Sequence, residues 1–274
     1  MIDKEKLNQL LANTGDMALK RRARRILEEL SPKKGEKILD VGCGDGFYLH
    51  FLSNLGEFEL VGLDNDPRAL VSAKKNLKGK KIKLVEGDIF KMPFADNNFD
   101  KIICSEVLEH LKDDLAGLKE LKRVLKPRGI LMVSAPNHNY PFFWDPVNWI
   151  LERIFKTHIK SGFWAGIWNQ HLRLYKPLEI KNVVEKAGFR VEKLESLTFW
   201  CLPFNHNLLH LAARVLYGGK LSGQLASVVS KYETKTKRPF LVSFAFWVVN
   251  TIDKLNDIWI PKNRGVGVFV KAYK

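Results

Sequence analysis

The chain contains 274 residues, of which 46% are hydrophobic and 27% charged, so it can bury a sizeable core and is not globally disordered. Its 19 glycines and 11 prolines exclude a fibrous or low-complexity protein. Lys and Arg outnumber Asp and Glu by 45 to 30, and the resulting net charge of +15 favours anionic partners: nucleic acid, phosphorylated metabolites or lipid headgroups.

The cysteine pattern and the N-terminus indicate the setting of the protein. Cys43, Cys104 and Cys201 lie far apart, with no CxxC or His spacing, which argues against a disulfide framework or a zinc cluster. The first ten residues are charged and lack the apolar core of a secretory signal. We therefore expect a cytoplasmic protein, with no metal site.

The first 35 residues predict helix, because apolar side chains recur there at helical spacing. This segment contains a basic run, KRRARR, at residues 20–25. The run predicts either a solvated helix face or a face directed at phosphates or carboxylates.

From Lys37 onward, short apolar runs alternate with helical segments. The predicted strands are 37–41, 58–63, 81–88, 99–105 and 129–136. The predicted helices are 46–55, 67–77 and a third that follows the fourth strand to about residue 125. This alternation is typical of parallel βαβ units and predicts a doubly wound sheet with functional loops at the carboxyl ends of its strands.

After Pro136 the alternation breaks. A further helix (177–189) and two strands (190–199 and 265–273) are predicted, interrupted by inserts at about 138–176 and 200–263. All seven tryptophans lie in the inserts. The segment 239–261 is amphipathic on a helical wheel, and its apolar run is too short to span a bilayer. We expect it to close an acceptor pocket, form a dimer interface or lie on a membrane surface.

The stretch ILDVGCGDG, residues 38–46, carries the clearest chemical signal. A buried strand ends in Asp40, and a turn with Gly42, Gly44 and Gly46 then enters a helix. Glycines allow the backbone to turn tightly and approach a ligand. The spacing is GxGxG rather than the GxGxxG of dinucleotide sites, and the flanking Asp40 and Asp45 suit a cationic or zwitterionic ligand better than a pyrophosphate.

Polar residues also end the next three strands. Asp64 follows the second strand, where a carboxylate can accept two hydrogen bonds from a ribose diol. Asp88 ends the third strand and is placed to accept from an exocyclic amine, while Ser105 and Glu106 end the fourth.

Together with VGLDNDP, EGDIFKMPFADNNFD, CSEVLEHL and LKRVLKPRGILMVSAPN, these motifs occur in order over residues 37–137. In this region the chain resembles class I S-adenosylmethionine-dependent methyltransferases, of the group that includes ubiquinone and menaquinone biosynthesis enzymes. The resemblance implies an α/β, Rossmann-like, seven-stranded doubly wound sheet whose last strand is antiparallel, with helical, aromatic-rich inserts after strands five and six.

The resemblance also implies the cofactor, S-adenosylmethionine, and roles for individual residues. Asp40 and the loop Gly42–Gly46 would hold its methionine part, and Ser105 would line that part through its backbone. The residues implied on the nucleoside side are Asp64 for the ribose, Asn65 beside the adenine, Asp88 for the adenine amine and Ile89 against the ring.

Methyl transfer from a sulfonium is an in-line displacement that requires alignment and exclusion of water rather than a metal. A base is needed only if the acceptor must lose a proton. His110, His138 and His171 are the candidates for a base or an acceptor-orienting residue, each with a structural alternative, and Glu106 is a further orienting candidate.

The aromatic inserts favour a bulky hydrophobic or lipid-like acceptor, presented at an anionic membrane surface. The net charge leaves RNA (tRNA) or protein methylation as the alternative, with a non-catalytic cofactor-binding regulatory module as a minor one. A homodimer is also possible. We predict an N-terminal helical cap at 1–36 and a methyltransferase domain at 37–274.

Overall fold

The structure is a computed structural model that describes residues 3–201, 232 and 240–274. Its centre is a seven-stranded sheet ordered β3-β2-β1-β4-β5-β7-β6. The strands are β1 Lys37–Val41, β2 Glu59–Asp64, β3 Ile82–Glu86, β4 Phe99–Ser105, β5 Leu125–Pro136, β6 Arg190–Leu197 and β7 Gly267–Tyr273. Strand β7 runs antiparallel to both of its neighbours, and the pairs from β3 to β5 are parallel. The predicted doubly wound, Rossmann-like sheet is confirmed.

Eight α-helices accompany the sheet within the described residues. They are α1 Lys4–Leu11, α2 Met17–Leu30, α3 Phe47–Leu55, α4 Pro67–Asn76, α5 Asp114–Val124, α6 Pro146–Phe155, α7 Pro177–Lys186 and α8 Phe240–Ile258. Several begin at an aspartate whose side chain accepts a backbone N–H of the first turn, as Asp16 does for α2 and Asp113 for α5. In the described part of the chain, no helix combines the length and apolar content needed to cross a membrane.

Two predicted helices are interrupted. The first 35 residues form α1 and α2 rather than one helix, because Asp16 caps a new helix after a break. The helix predicted directly after β4 begins only at Asp114 and is preceded by a short 3₁₀ turn, Leu108–His110. Glu106 has a φ of +57°, which helical backbone cannot contain, so the chain turns there. This turn leaves residues 106–110 at the carboxyl edge of the sheet.

Helices cover both faces of the sheet. Helices α1, α2 and α3 bury one face, with Leu27 and Phe51 packed against sheet residues such as Met132. On the other face α5 and α7 contribute Leu121 and Ile180 to a second core. The N-terminal helices therefore share a core with the sheet, and their separation as a cap at 1–36 stays a prediction.

A third, smaller core lies among the insert residues. It joins α2 to the segment after β5 and to α8, and it contains Met17, Tyr140, Trp144, Trp168, Val249 and Ile252. The described parts of the inserts are thus packed against the start of α2.

The basic run on α2 faces carboxylates, which confirms the second of the two alternatives for this segment. Arg21 lies 2.5 Å from a carboxylate oxygen of Asp253 on α8, and Arg22 lies 2.8 Å from Glu106. Arg25 makes a bidentate ion pair with Glu195 of β6. The alternative of a purely solvated face is wrong, because these guanidinium groups link the N-terminal helix to the sheet and to α8.

Candidate active site

A cavity of about 520 Å³ lies at the carboxyl ends of β1, β2 and β4. In an open α/β sheet this is the point where strand order reverses and where ligands bind. Six of the residues predicted from the sequence or the resemblance line it: Gly42, Gly44, Asp64, Asn65, Ile89 and His110. The carboxylate alternative, Glu106, lines it as well.

The glycine loop allows a close approach to this cavity. Gly42 and Gly44 have φ values of +66° and +53°, a region that side chains disfavour. A Cβ atom on Gly42 would lie 2.5 Å from a methyl group of Val107, whereas one on Gly44 would meet no protein atom within 4 Å. The second position therefore leaves room that a ligand can occupy directly against the backbone.

Asp64 is held in place by the loops on either side of it. One carboxylate oxygen accepts the N–H of Gly44 at 2.8 Å, and the other accepts the N–H of Asp66 at 2.9 Å. Each oxygen retains a further lone pair, so the oriented carboxylate can still accept from two hydroxyl groups. This geometry fits a ribose diol in the cavity.

Asp40, at the end of β1, is buried, and its Oδ2 atom has no hydrogen-bond partner among the residues that the structure describes. Burial raises the pKa of this carboxyl well above its usual range, and the nearby carboxylates of Asp64 and Asp45 raise it further. A buried acid without a partner fits a ligand that brings a cationic group to the loop. Asp40 itself is not among the residues that line the cavity.

Three other predicted residues are engaged in local structure. The side chain of Asp88 is exposed and accepts the N–H of Phe90, which closes a turn. Gly46 precedes α3, where a Cβ atom would lie 2.7 Å from Leu77. The hydroxyl of Ser105 lies 2.8 Å from that of Ser134, which leaves the backbone for the role that the resemblance implies.

The structure brings two of the three candidate histidines together and leaves out the third. The rings of His110 and His171 are 4.9 Å apart between centroids. Burial lowers the pKa of His171, and neighbouring His110 lowers it further. His138 lies outside the cavity lining, and its Nδ1 atom is buried without a partner.

Sequence reasoning missed Glu109, which lies between Leu108 and His110. Its side chain is 0% exposed, and neither carboxylate oxygen has a hydrogen-bond partner in the described part of the chain. Burial raises the pKa of Glu109 well above its usual range, with a further contribution from Glu106. The available signal was an acidic residue inside the apolar run VLEHL, where burial of a charge requires a reason.

The sequence also matches a known family and known relatives. Residues 32–188 match a family described as "Methyltransferase domain". A demethylmenaquinone methyltransferase from Staphylococcus aureus (strain JH9) is 31% identical over 186 residues, which cover 64% of this chain and 76% of that protein.

Two solved structures share the fold. A SAM-dependent methyltransferase from Aquifex aeolicus superposes with a TM-score of 0.50 at 24% identity, covering 72% of this chain and 94% of that one. Phosphoethanolamine N-methyltransferase 2 from Haemonchus contortus, in complex with S-adenosyl-L-methionine, gives a TM-score of 0.57 at 19% identity, covering 92% of this chain and 52% of that one.

The wound sheet, its glycine loop and the matched family define a class I S-adenosylmethionine-dependent methyltransferase. The chain belongs to the methyltransferase-domain family and resembles its menaquinone and ubiquinone members. The cofactor is therefore S-adenosylmethionine, which supplies an electrophilic methyl group on a sulfonium when bound.

Proposed function

We propose that this methyltransferase modifies a bulky hydrophobic or lipid-like small molecule that is presented at an anionic membrane surface. The observation that carries the proposal is the orientation of α8. Polar residues such as Asp253 and Asn256 are turned into the protein, and the largest apolar side chains are turned outward. The relatives named demethylmenaquinone methyltransferases support a hydrophobic acceptor.

The inward face of α8 is anchored by polar contacts. Asp253 receives Arg21, and Lys20 donates to the side chain of Asn250 at 2.7 Å. The amide oxygen of Asn256 accepts the backbone N–H groups of residues 199 and 200, at 2.7 and 2.8 Å. These contacts determine which face of the helix is buried.

The outward face of α8 is rich in large apolar side chains. Phe240 is 81% exposed, Trp247 62% and Ile258 80%. Helix α6, which packs into the same small core through Trp149, also exposes Ile154 and Phe155. Exposed aromatic side chains of this kind suit the headgroup region of a bilayer, and a net charge of +15 adds attraction to anionic lipids.

In the cofactor pocket we assign roles by contact. Gly42 and Gly44 let the loop approach the methionine part, near the unpartnered acid of Asp40. Asp64 accepts from the ribose, beside Asn65. The buried side chain of Ile89 excludes water on the adenine side, with Asp88 at the end of the same loop. Such alignment can supply roughly 7–11 kcal/mol of the barrier.

We assign His110 and His171 to contact with the acceptor, because their rings lie together and His110 lines the cavity. His138 stays a weaker candidate, since it is separate from them. Side chains at this position can orient an acceptor beside the methyl donor.

Liposome flotation tests the membrane part. We expect the protein to float with vesicles containing anionic phospholipid and to remain behind with neutral ones. The Phe244→Ser/Trp247→Ser double variant should lose flotation, while a matched Val71→Ser/Leu178→Ser variant, which removes exposed apolar residues elsewhere, should retain it. No flotation with anionic vesicles would contradict the proposal.

The acceptor class is tested with labelled S-adenosylmethionine and three pools: a cell lipid extract, RNA and protein. We expect label in the lipid extract. The net charge of +15 favours RNA as the second candidate, although α2 directs its basic run at carboxylates instead. Salt-sensitive labelling of tRNA alone would replace the lipid-like acceptor with that alternative.

A further inference from the structure

Three side chains of the metal-binding type meet beside the cofactor cavity. One ligand atom from each of Glu109, His110 and His171 lies within 4.8 Å of the other two. The first two residues end the 3₁₀ turn after β4, and the third follows the segment Phe163–Trp168. The N–H of Leu172 donates to the carbonyl of Glu109 at 2.9 Å, so the two segments are joined at this point.

The histidine rings are oriented as metal ligands are. The Nδ1 atom of His110 lies 3.0 Å from the carbonyl of Gln170, and that of His171 lies 2.5 Å from the carbonyl of Ile167. A carbonyl can only accept, so Nδ1 carries the proton in each neutral ring and Nε2 keeps its lone pair. Hydrogen bonding of the second nitrogen to a backbone carbonyl is the usual support of a metal-bound imidazole.

Both free Nε2 atoms face the same carboxylate. They lie 3.9 Å (His110) and 4.0 Å (His171) from Oε1 of Glu109. These distances are too long for direct hydrogen bonds. A cation bound at about 2.0–2.2 Å from each atom would need them roughly 3.3 Å apart. Each histidine nitrogen would therefore have to approach the carboxylate by about 0.6–0.7 Å, and the three ligand atoms, which lie within 4.8 Å of one another, would have to draw together when an ion binds.

The carboxylate supplies an independent reason for a cation. Glu109 is 0% exposed, and within residues 3–201, 232 and 240–274 neither of its oxygens has a hydrogen-bond partner. Among the described residues, the basic side chains within 4.0 Å of this carboxylate are those two histidines, whose neutral rings carry no charge, while the nearby Arg22 binds Glu106. A buried carboxylate without compensation is costly, and a metal ion provides that compensation.

We propose that Glu109, His110 and His171 bind one divalent first-row cation, such as Mn²⁺ or Zn²⁺, at the edge of the cofactor cavity. Two imidazole nitrogens and one carboxylate oxygen form the ligand set that such ions accept while keeping other positions open. The side chain of His110 is 39% exposed and lines the cavity, so the open positions face it.

Resting on the proposed function, the site specifies the acceptor as a lipid-like molecule that carries a hydroxyl group. Coordination of that oxygen lowers its pKa, and its proton passes to water. The resulting oxyanion forms an O–C bond to the methyl carbon as the S–C bond breaks. The electron pair of that bond returns to sulfur, which leaves as a neutral thioether.

Manganese binding tests the site without any acceptor. The full chain is stripped with EDTA and titrated with MnCl₂, and free Mn²⁺ is followed by its EPR signal. We expect one ion per chain, with affinity reduced at least about tenfold in both Glu109→Gln and His171→Gln. His158→Gln, a histidine outside the cluster, should bind Mn²⁺ as the unaltered protein does.

If the unaltered protein leaves the Mn²⁺ signal unchanged, or if the two variants bind as tightly as it does, the metal site is refuted. Binding of S-adenosylhomocysteine by each variant shows that it is folded. Should Glu109→Gln not fold, His171→Gln alone carries the comparison.

A methyl-transfer assay distinguishes failure of the proposed metal site from failure of the proposed function. With a long-chain alkyl catechol as acceptor, we expect EDTA to abolish methyl transfer and Mn²⁺ to restore it, with S-adenosylhomocysteine affinity unchanged. Transfer that is insensitive to EDTA in a protein that binds Mn²⁺ would refute the acceptor role. Binding of Mn²⁺ with transfer only to RNA or protein would refute the lipid-like acceptor and leave the metal site standing.

Discussion

The cofactor side and the acceptor side of this molecule are built from different kinds of contact. On the cofactor side, residues 37–137, the glycine loop is joined to the end of β2 within about one βαβ unit. The N–H of Cys43 donates to the carbonyl of Leu63, and the N–H of Gly44 donates to the carboxylate of Asp64. On the acceptor side, side chains far apart in the chain meet, as Arg21 and Asp253 do. A cofactor common to a family is recognised by backbone shape, whereas the acceptor is recognised by side chains that differ between members.

The largest expected effect is a loss of stability when an ion pair of the acceptor side is removed. The side chains of Arg21 and Asp253 are 11% and 8% exposed, so Arg21→Ala would leave a buried carboxylate without its partner. We expect the free energy of unfolding, measured by chemical denaturation, to fall by about 3–5 kcal/mol. Affinity for S-adenosylmethionine should change little if the two sides are independent.

Lys34→Ala is the matched control, because its pair with Glu57 is fully exposed and should contribute nothing measurable. A loss in Arg21→Ala no larger than in this control would show that α2 and α8 do not depend on the ion pair.

The next effect is on cofactor binding and comes from the cofactor side. Asp64→Ala removes the carboxylate that orders the loop at Gly44 and accepts from the ribose. We expect affinity for S-adenosylhomocysteine, measured by calorimetry, to fall about 10- to 100-fold, as loss of charge-assisted hydrogen bonds predicts.

Asp113→Ala removes an aspartate that caps α5 outside the cavity, and it should leave this affinity unchanged. Equal affinities in the two variants would mean that Asp64 has no part in binding.

The smallest expected effect is a pH dependence within the cofactor side. Burial, together with Lys80, lowers the pKa of His50 on α3 from 6.5 to about 4. Between these pH values the unfolded chain binds a proton that the folded chain does not, so the free energy of unfolding falls as the pH is lowered.

We expect the share of His50 in this loss to be about 1–2 kcal/mol between pH 6.5 and 4. His50→Leu should lose less stability than the unaltered protein over that range, as followed by denaturation at several pH values. Parallel curves for the two proteins would rule out this role.

Local patterns in the sequence were enough for the sheet and the cofactor loop. The bounds of β1 and β4 were predicted as they occur, because the apolar residues of each run mark a buried strand in the sequence itself. The turn at Glu106 was not, because its positive φ accompanies an N–H donated to the carbonyl of Ser134 on the next strand.

The acceptor side could be predicted only in part. The helical wheel separated the two faces of α8, but the inward direction of the polar face depends on Lys20 and Arg21, over 200 residues away. Glu109 was missed for a similar reason, since its burial depends on the segment around His171. Such contacts leave no local periodicity in the sequence.

Calorimetric titration of the full chain with S-adenosylmethionine, compared with a Gly44→Val variant, tests the central claim most directly. The account predicts one cofactor bound per chain, and loss of that binding when a side chain fills the space beside the loop. No heat of binding with either the cofactor or its demethylated product, or equal binding by the variant, would contradict it.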